Sequence, residues 1–67
     1  MNNTVIDTKA YKVAFVQKIR GRSTKPVCTT WARERSREEA IEAAMWKLEM
    51  RHPGTSYTDI EIWDEMD

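Results

Sequence analysis

The 67 residues include one cysteine, one histidine, two glycines and two prolines. The single thiol, Cys28, rules out an intrachain disulfide framework. Neither a Cys-x-x-Cys nor a His-x-x-x-His spacing occurs, so the usual metal-ligand patterns are missing and no metal or cofactor is expected. The segment Gly21-Arg22-Ser23-Thr24-Lys25 lacks the second glycine and the length of a phosphate-cradling loop. No apolar run approaches the ~20 residues that cross a bilayer. The N-terminal residues Met1-Asn2-Asn3-Thr4-Val5-Ile6-Asp7 have neither the basic stretch nor the apolar centre of a signal peptide. A cytoplasmic protein without membrane partners is the reading these absences give. Catalysis is also not expected. His52 has no Cys or Ser at a suggestive spacing, and Glu38, Glu39 and Glu42 read as a capping and solvated helix face.

The chain also lacks a net charge, with eleven basic residues against eleven acidic ones. The balance is uneven along the sequence. Residues 1–37 carry nine basic and two acidic side chains, whereas residues 38–67 carry two basic and nine acidic ones. A length of 67 residues allows one small domain with a thin core. The periodic segments set it apart from a disordered chain.

Residues 11–20 alternate as a strand, with Tyr11, Val13, Phe15 and Ile19 on one face and Lys12, Ala14, Val16, Lys18 and Arg20 on the other. Residues 20–25 form a basic turn around Gly21. Pro26 then opens an edge strand over residues 27–32. Ser36-Arg37-Glu38-Glu39 is a capping box, in which the Ser36 hydroxyl and the Glu39 carboxylate each accept from the other residue's backbone N–H. A helix follows and stops near His52, because Pro53 disfavours helical geometry before it. A helix reaching back to Trp31, capped at Thr29-Thr30, is the competing assignment. Residues 57–63 form a third strand, with Ile60 and Ile62 inward and Asp59 and Glu61 outward.

These elements give an α+β fold of β-β-α-β order, with a three-stranded sheet in the order 3-1-2 and one helix packed on one face. Residues 1–9 read as a flexible N-terminal segment, 10–63 as the domain and 64–67 as an acidic tail.

Three surfaces are candidates for binding. The helical wheel puts Ile41, Ala44, Met45 and Leu48 on a core stripe ending at His52. Trp46 and Met50 then lie opposite, among Glu39, Glu42 and Glu49. Exposed Trp and Met are typical of interface centres. In the alternative, the helix is rolled and Trp46 closes a small core. The open sheet face offers Lys12 and Lys18 beside Asp59 and Glu61, flanked by Tyr57 and Trp63. This is either a partner surface or a set of cross-strand ion pairs. The basic residues Lys18, Arg20, Arg22, Lys25, Arg33 and Arg35, with Tyr11 and Trp31 nearby, form a possible nucleic-acid footprint. The carboxylates of the other half oppose that role by repelling phosphates.

The pattern Ser36-x-x-Glu39-Ala40-Ile41-Glu42-x-Ala44-x-Trp46, after Trp31-Ala32 and before Thr58-x-Ile60, resembles the small inhibitor of bacterial RNA polymerase made by lytic coliphages. The resemblance spans roughly residues 11–63. That family shares the strand-strand-helix-strand layout, and its last strand presents arginines to the polymerase where this chain has Asp59 and Glu61. The layout is also similar to that of several small anti-CRISPR proteins. The resemblance implies a non-enzymatic phage-type protein that occludes a surface of a host protein or nucleoprotein complex in the bacterial cytoplasm. A small nucleic-acid-binding module and a homodimeric regulatory protein built on the Trp46 stripe are the alternatives.

Overall fold

A computed structural model describes residues 7–20 and 25–67. The turn expected around Gly21, including Arg22, lies outside the described residues, as do the first six residues. The chain forms β1 (Lys9–Gln17), β2 (Lys25–Glu34), α1 (Arg37–Arg51) and β3 (Asp59–Met66). The sheet order is β2-β1-β3, and β1 is antiparallel to both neighbours. The most apolar strand is therefore central, in the α+β, 3-1-2 order that the sequence predicts. Trp31 belongs to β2, so α1 does not reach back to it.

Register follows from the alternation of β1. Tyr11, Val13 and Phe15 lie opposite Ala32, Thr30 and Cys28 on β2, and opposite Glu65, Ile62 and Ile60 on β3. Each outer strand carries one extra residue. On β2, Val27 falls between Pro26, opposite Val16, and Cys28, opposite Phe15. On β3, Trp63 falls between Ile62, opposite Val13, and Asp64, opposite Lys12. Such bulges twist an edge and re-aim the side chain they carry.

The core cluster joins Tyr11, Val13, Phe15 and Ala32 of the sheet to Ala40, Ala44 and Leu48 of α1. Phe15 meets Tyr57 edge to face, with ring centroids 5.0 Å apart. Ala40 and Ala44 of α1 lie in the same cluster as the Tyr11 and Phe15 rings. This geometry shifts the helical stripe from the one expected. Ala44 and Leu48 are buried and Ile41 is half-buried, but Met45 and His52 are exposed and Ala40 takes the first core position.

Local bonds set the ends of the elements. The Ser36 hydroxyl accepts from the Glu39 N–H at 3.2 Å. The return bond from the Glu39 carboxylate is not formed among the described residues, so half of the expected capping box is present. At the other end, the His52 N–H donates to the Leu48 carbonyl at 2.7 Å. Gly54 then turns the chain at φ 85°, a conformation that side chains with a Cβ rarely adopt.

Thr58 clamps the start of β3 to the end of β1. Its N–H donates to the Val16 carbonyl at 2.9 Å, and its hydroxyl accepts from the Lys18 N–H at 2.8 Å. This contact draws Lys18 out of the ladder, so β1 ends at Gln17 and Ile19, expected on the inward face, is exposed. Residues 64–66, expected in an acidic tail, belong to β3. Asp64, Glu65 and Met66 pair with Lys12, Tyr11 and Ala10, because β1 starts at Lys9 and its first residues need partners.

Candidate functional site

The two most exposed of the large apolar side chains among the described residues, Trp46 and Met50, lie on the outer flank of α1. Trp46 is 68% exposed, Met50 72% and Met45 44%. The reading in which Trp46 closes the core is not the one observed. Met45, Trp46, Glu49 and Met50 line a shallow groove. Glu34, Glu39, Glu42 and Ala43 line a second depression that Trp46 also walls. The ion pairs among the described residues are Lys9–Glu65, Lys18–Glu61 and Arg37–Glu65. None of them reaches Glu34, Glu39, Glu42 or Glu49. Two members of this surface escape sequence reasoning. Met45 was expected in the core stripe, and Glu34 lies on β2, whose approach to the helix start is a tertiary fact.

The sheet face carrying Lys12, Ala14 and Val16 is organised differently. Lys12 lies between Trp31 and Asp64, Ala14 between Thr29 and Glu61, and Val16 between Pro26 and Asp59. The Trp63 indole N–H donates to a Glu61 carboxylate oxygen at 2.9 Å, and the Lys18 ammonium lies 3.9 Å from the other oxygen. The Lys12 ammonium sits 6.0 Å from the Trp63 ring centroid, at the outer limit of a cation–π contact. The structure thus brings together Lys12, Lys18, Glu61 and Trp63, and it adds Trp31, whose place follows from its pairing with Lys12. Asp59, half-buried at the start of β3, takes part in no ion pair among the described residues. Tyr57, expected to flank this face, packs instead against Phe15 in the core. On this face Lys18 and Glu61 form an ion pair, whereas Lys12, Asp59 and Asp64 take part in none among the described residues.

The basic residues do not form one patch. Lys18, Arg20 and Lys25 lie at the turn end of the β1–β2 hairpin, and Arg33 and Arg35 lie at the opposite end of β2. At ~3.3 Å per residue, Lys25 and Arg33 are about 27 Å apart along the strand. Lys18 is engaged by Glu61, and Arg33 donates to the Thr8 carbonyl at 3.2 Å. Tyr11 is buried in the core, so it offers no ring for a base to stack on.

Groups with reactive chemistry are sparse. Cys28 and His52 contribute to one crevice with Phe15, Lys47 and Arg51. Within that crevice the Cys28 thiol donates weakly to the Thr29 carbonyl at 3.8 Å, and the Lys47 ammonium donates to the Trp31 carbonyl at 2.8 Å. Among the described residues, no group of three or more His, Cys, Asp or Glu side chains converges as metal ligands would. The clearest electrostatic coupling joins α1 to β3. The Arg37 guanidinium donates to Glu65 at 2.7 Å. This hydrogen bond holds the Glu65 carboxyl below its ordinary range and raises Arg37 above its own.

Among the described residues, no helix is long and apolar enough to cross a membrane. No protein-family model matches the chain, and no curated protein or solved structure matches it significantly either.

Proposed function

We propose that this chain is a non-enzymatic binding protein that covers a surface of a host macromolecular complex, with the outer flank of α1 as its contact surface. The observation that carries this reading is the exposure of Trp46 and Met50, at 68% and 72%. Burying a large apolar side chain stabilises by about 1.5–3 kcal/mol, so leaving Trp46 and Met50 in water forgoes a substantial gain that a partner restores. Ala40, Ala44 and Leu48 of α1 are buried in the core cluster with the strand residues, whereas Trp46 and Met50 stay exposed. The sheet face with Asp59, Glu61 and Trp63 is a secondary contact, since Glu61 is already bonded to Trp63 and paired with Lys18.

The phage inhibitors that the sequence pattern resembles supply the setting: a cytoplasmic protein that blocks bacterial RNA polymerase or a CRISPR-type defence complex. Nucleic-acid binding through the hairpin is the weaker reading, because its basic residues are divided between two ends of β2.

The test is titration of the purified chain into transcription by bacterial RNA polymerase and into target binding by a CRISPR surveillance complex. Inhibition of either that is lost in Trp46→Ala supports the proposal. Absence of inhibition in both, or equal inhibition by Trp46→Ala, overturns it.

A further inference from the structure

The two depressions beside Trp46 differ in chemistry. Glu34, Glu39, Glu42 and Ala43 line one together with Trp46, and Met45, Glu49 and Met50 line the other together with Trp46. From this asymmetry we infer that the partner presents a basic protein segment, placing a Lys or Arg against Trp46 among the three carboxylates and an adjacent apolar side chain in the methionine groove. The inference rests on the outer flank of α1 being the contact surface.

Charge complementarity decides the occupant. None of the four carboxylates is engaged by an ion pair among the described residues. A cation arriving beside them therefore gains several attractions at once, and the Trp face adds a cation–π contribution. The apolar part of the site gives the affinity that a purely electrostatic contact lacks in physiological salt.

The other occupants are disfavoured by the same groups. A two-fold dimer through this flank sets the carboxylates of one copy against those of the other. A nucleic-acid strand would bring phosphates within a Debye length of the same carboxylates. The basic segment needs only a Lys or Arg beside an apolar residue, which matches in kind the two depressions that share Trp46.

The experiment follows the Trp46 indole N–H signal in the isotopically labelled full chain, assigned with Trp46→Phe. The probes are a designed amphipathic Lys/Leu peptide, its Glu/Leu counterpart and an oligouridylate RNA. The Lys/Leu peptide is expected to shift the signal saturably. Its affinity should fall about five-fold or more when salt is raised to about 0.5 M, and similarly in the double variant Glu34→Gln/Glu42→Gln. Three results overturn the inference: no saturable shift, an equal response to the Glu/Leu peptide or the RNA, or movement of the signal on dilution of the protein alone, which would identify a second copy as occupant. The two proposals fail separately. If Trp46→Ala abolishes inhibition in the functional assay while Glu34→Gln/Glu42→Gln retains all of it, the contact surface stands and the basic occupant falls. If neither change matters, both fall. Unchanged signals from Trp31 and Trp63 show that each variant remains folded.

Discussion

Arg37, in the first turn of α1, donates to Glu65, near the end of β3, across 28 residues of sequence and 2.7 Å of space. Lys9 of β1 lies 3.7 Å from the same carboxylate. Glu65 thus links the start of the helix to the first residue of the central strand.

This relationship makes stability depend on acid pH. The Glu65 carboxyl titrates below its ordinary value of 4.5, chiefly through the Arg37 hydrogen bond. A group whose pKa is lower folded than unfolded binds fewer protons in the folded state. Its stabilisation is therefore complete above the ordinary value and is lost as pH falls through the folded one. Thermal unfolding of the wild type and Glu65→Gln from neutral pH to about pH 3 should show two curves that are separated at neutral pH and converge in acid. Parallel curves would show that the pair contributes nothing, a common result for exposed ion pairs.

The helix start rests on one side chain. The Ser36 hydroxyl caps Glu39, and Glu39 does not reciprocate. Ser36→Ala should cost about 1 kcal/mol, which for a domain of this size lowers Tm by roughly 4–8 °C. Glu39→Ala, which removes both the charge and the acceptor, should cost only the dipole contribution of about 0.3–1 kcal/mol. If the two changes were equally damaging in calorimetry, the full reciprocal box would be operating in solution.

The order of elements was legible because each had its own local signal: alternation through Tyr11, Val13 and Phe15, the Ser36 cap, and the Pro53 stop. The strand order followed from placing the most apolar strand in the centre. What stayed hidden was set by contacts distant in sequence. Nothing near Thr58 says that it will take the Lys18 N–H, yet that bond ends β1 and exposes Ile19. Asp64-Glu65-Met66-Asp67 reads as a polar end until β1 is known to begin at Lys9 and to need partners there. On the helix, a 100° wheel identified the outer position of Trp46 but misplaced Met45. The wheel fixes relative angles, and the burial of Ala40 and Ala44 in the core cluster fixes the rotation. Glu34 joined the Trp46 surface from another element, beyond the reach of any helical pattern.

The thin core should be sensitive at its centre. Phe15 is fully buried and contacts Tyr57 edge to face. Phe15→Ala is expected to cost about 3–5 kcal/mol, against a total stability of roughly 3–10 kcal/mol for a chain of this length. Urea unfolding should find the variant largely unfolded or close to its midpoint in buffer. A loss below about 1 kcal/mol would mean that the surrounding side chains collapse into the space.

Edge protection gives the last prediction. The Val16 carbonyl bonds to Thr58 on the β3 side. Because main-chain groups alternate along a strand, those of Val16, Ala14 and Lys12 point towards β3. Trp31, opposite Lys12, is therefore in a non-hydrogen-bonded pair and turns its own carbonyl to the outer edge of β2. The Lys47 ammonium reaches from α1 to that carbonyl at 2.8 Å. A charged lysine over an edge strand satisfies the exposed acceptor and obstructs pairing with another chain. Lys47→Met removes both the donor and the charge while keeping the length of the side chain. Sedimentation velocity over a range of concentrations should show added self-association in Lys47→Met and none in Lys47→Arg, which retains a cationic donor. If Lys47→Met sediments as the wild type does at every concentration, the protection of β2 lies elsewhere, in the Pro26–Val27 irregularity that already breaks the ladder at the other end of the strand.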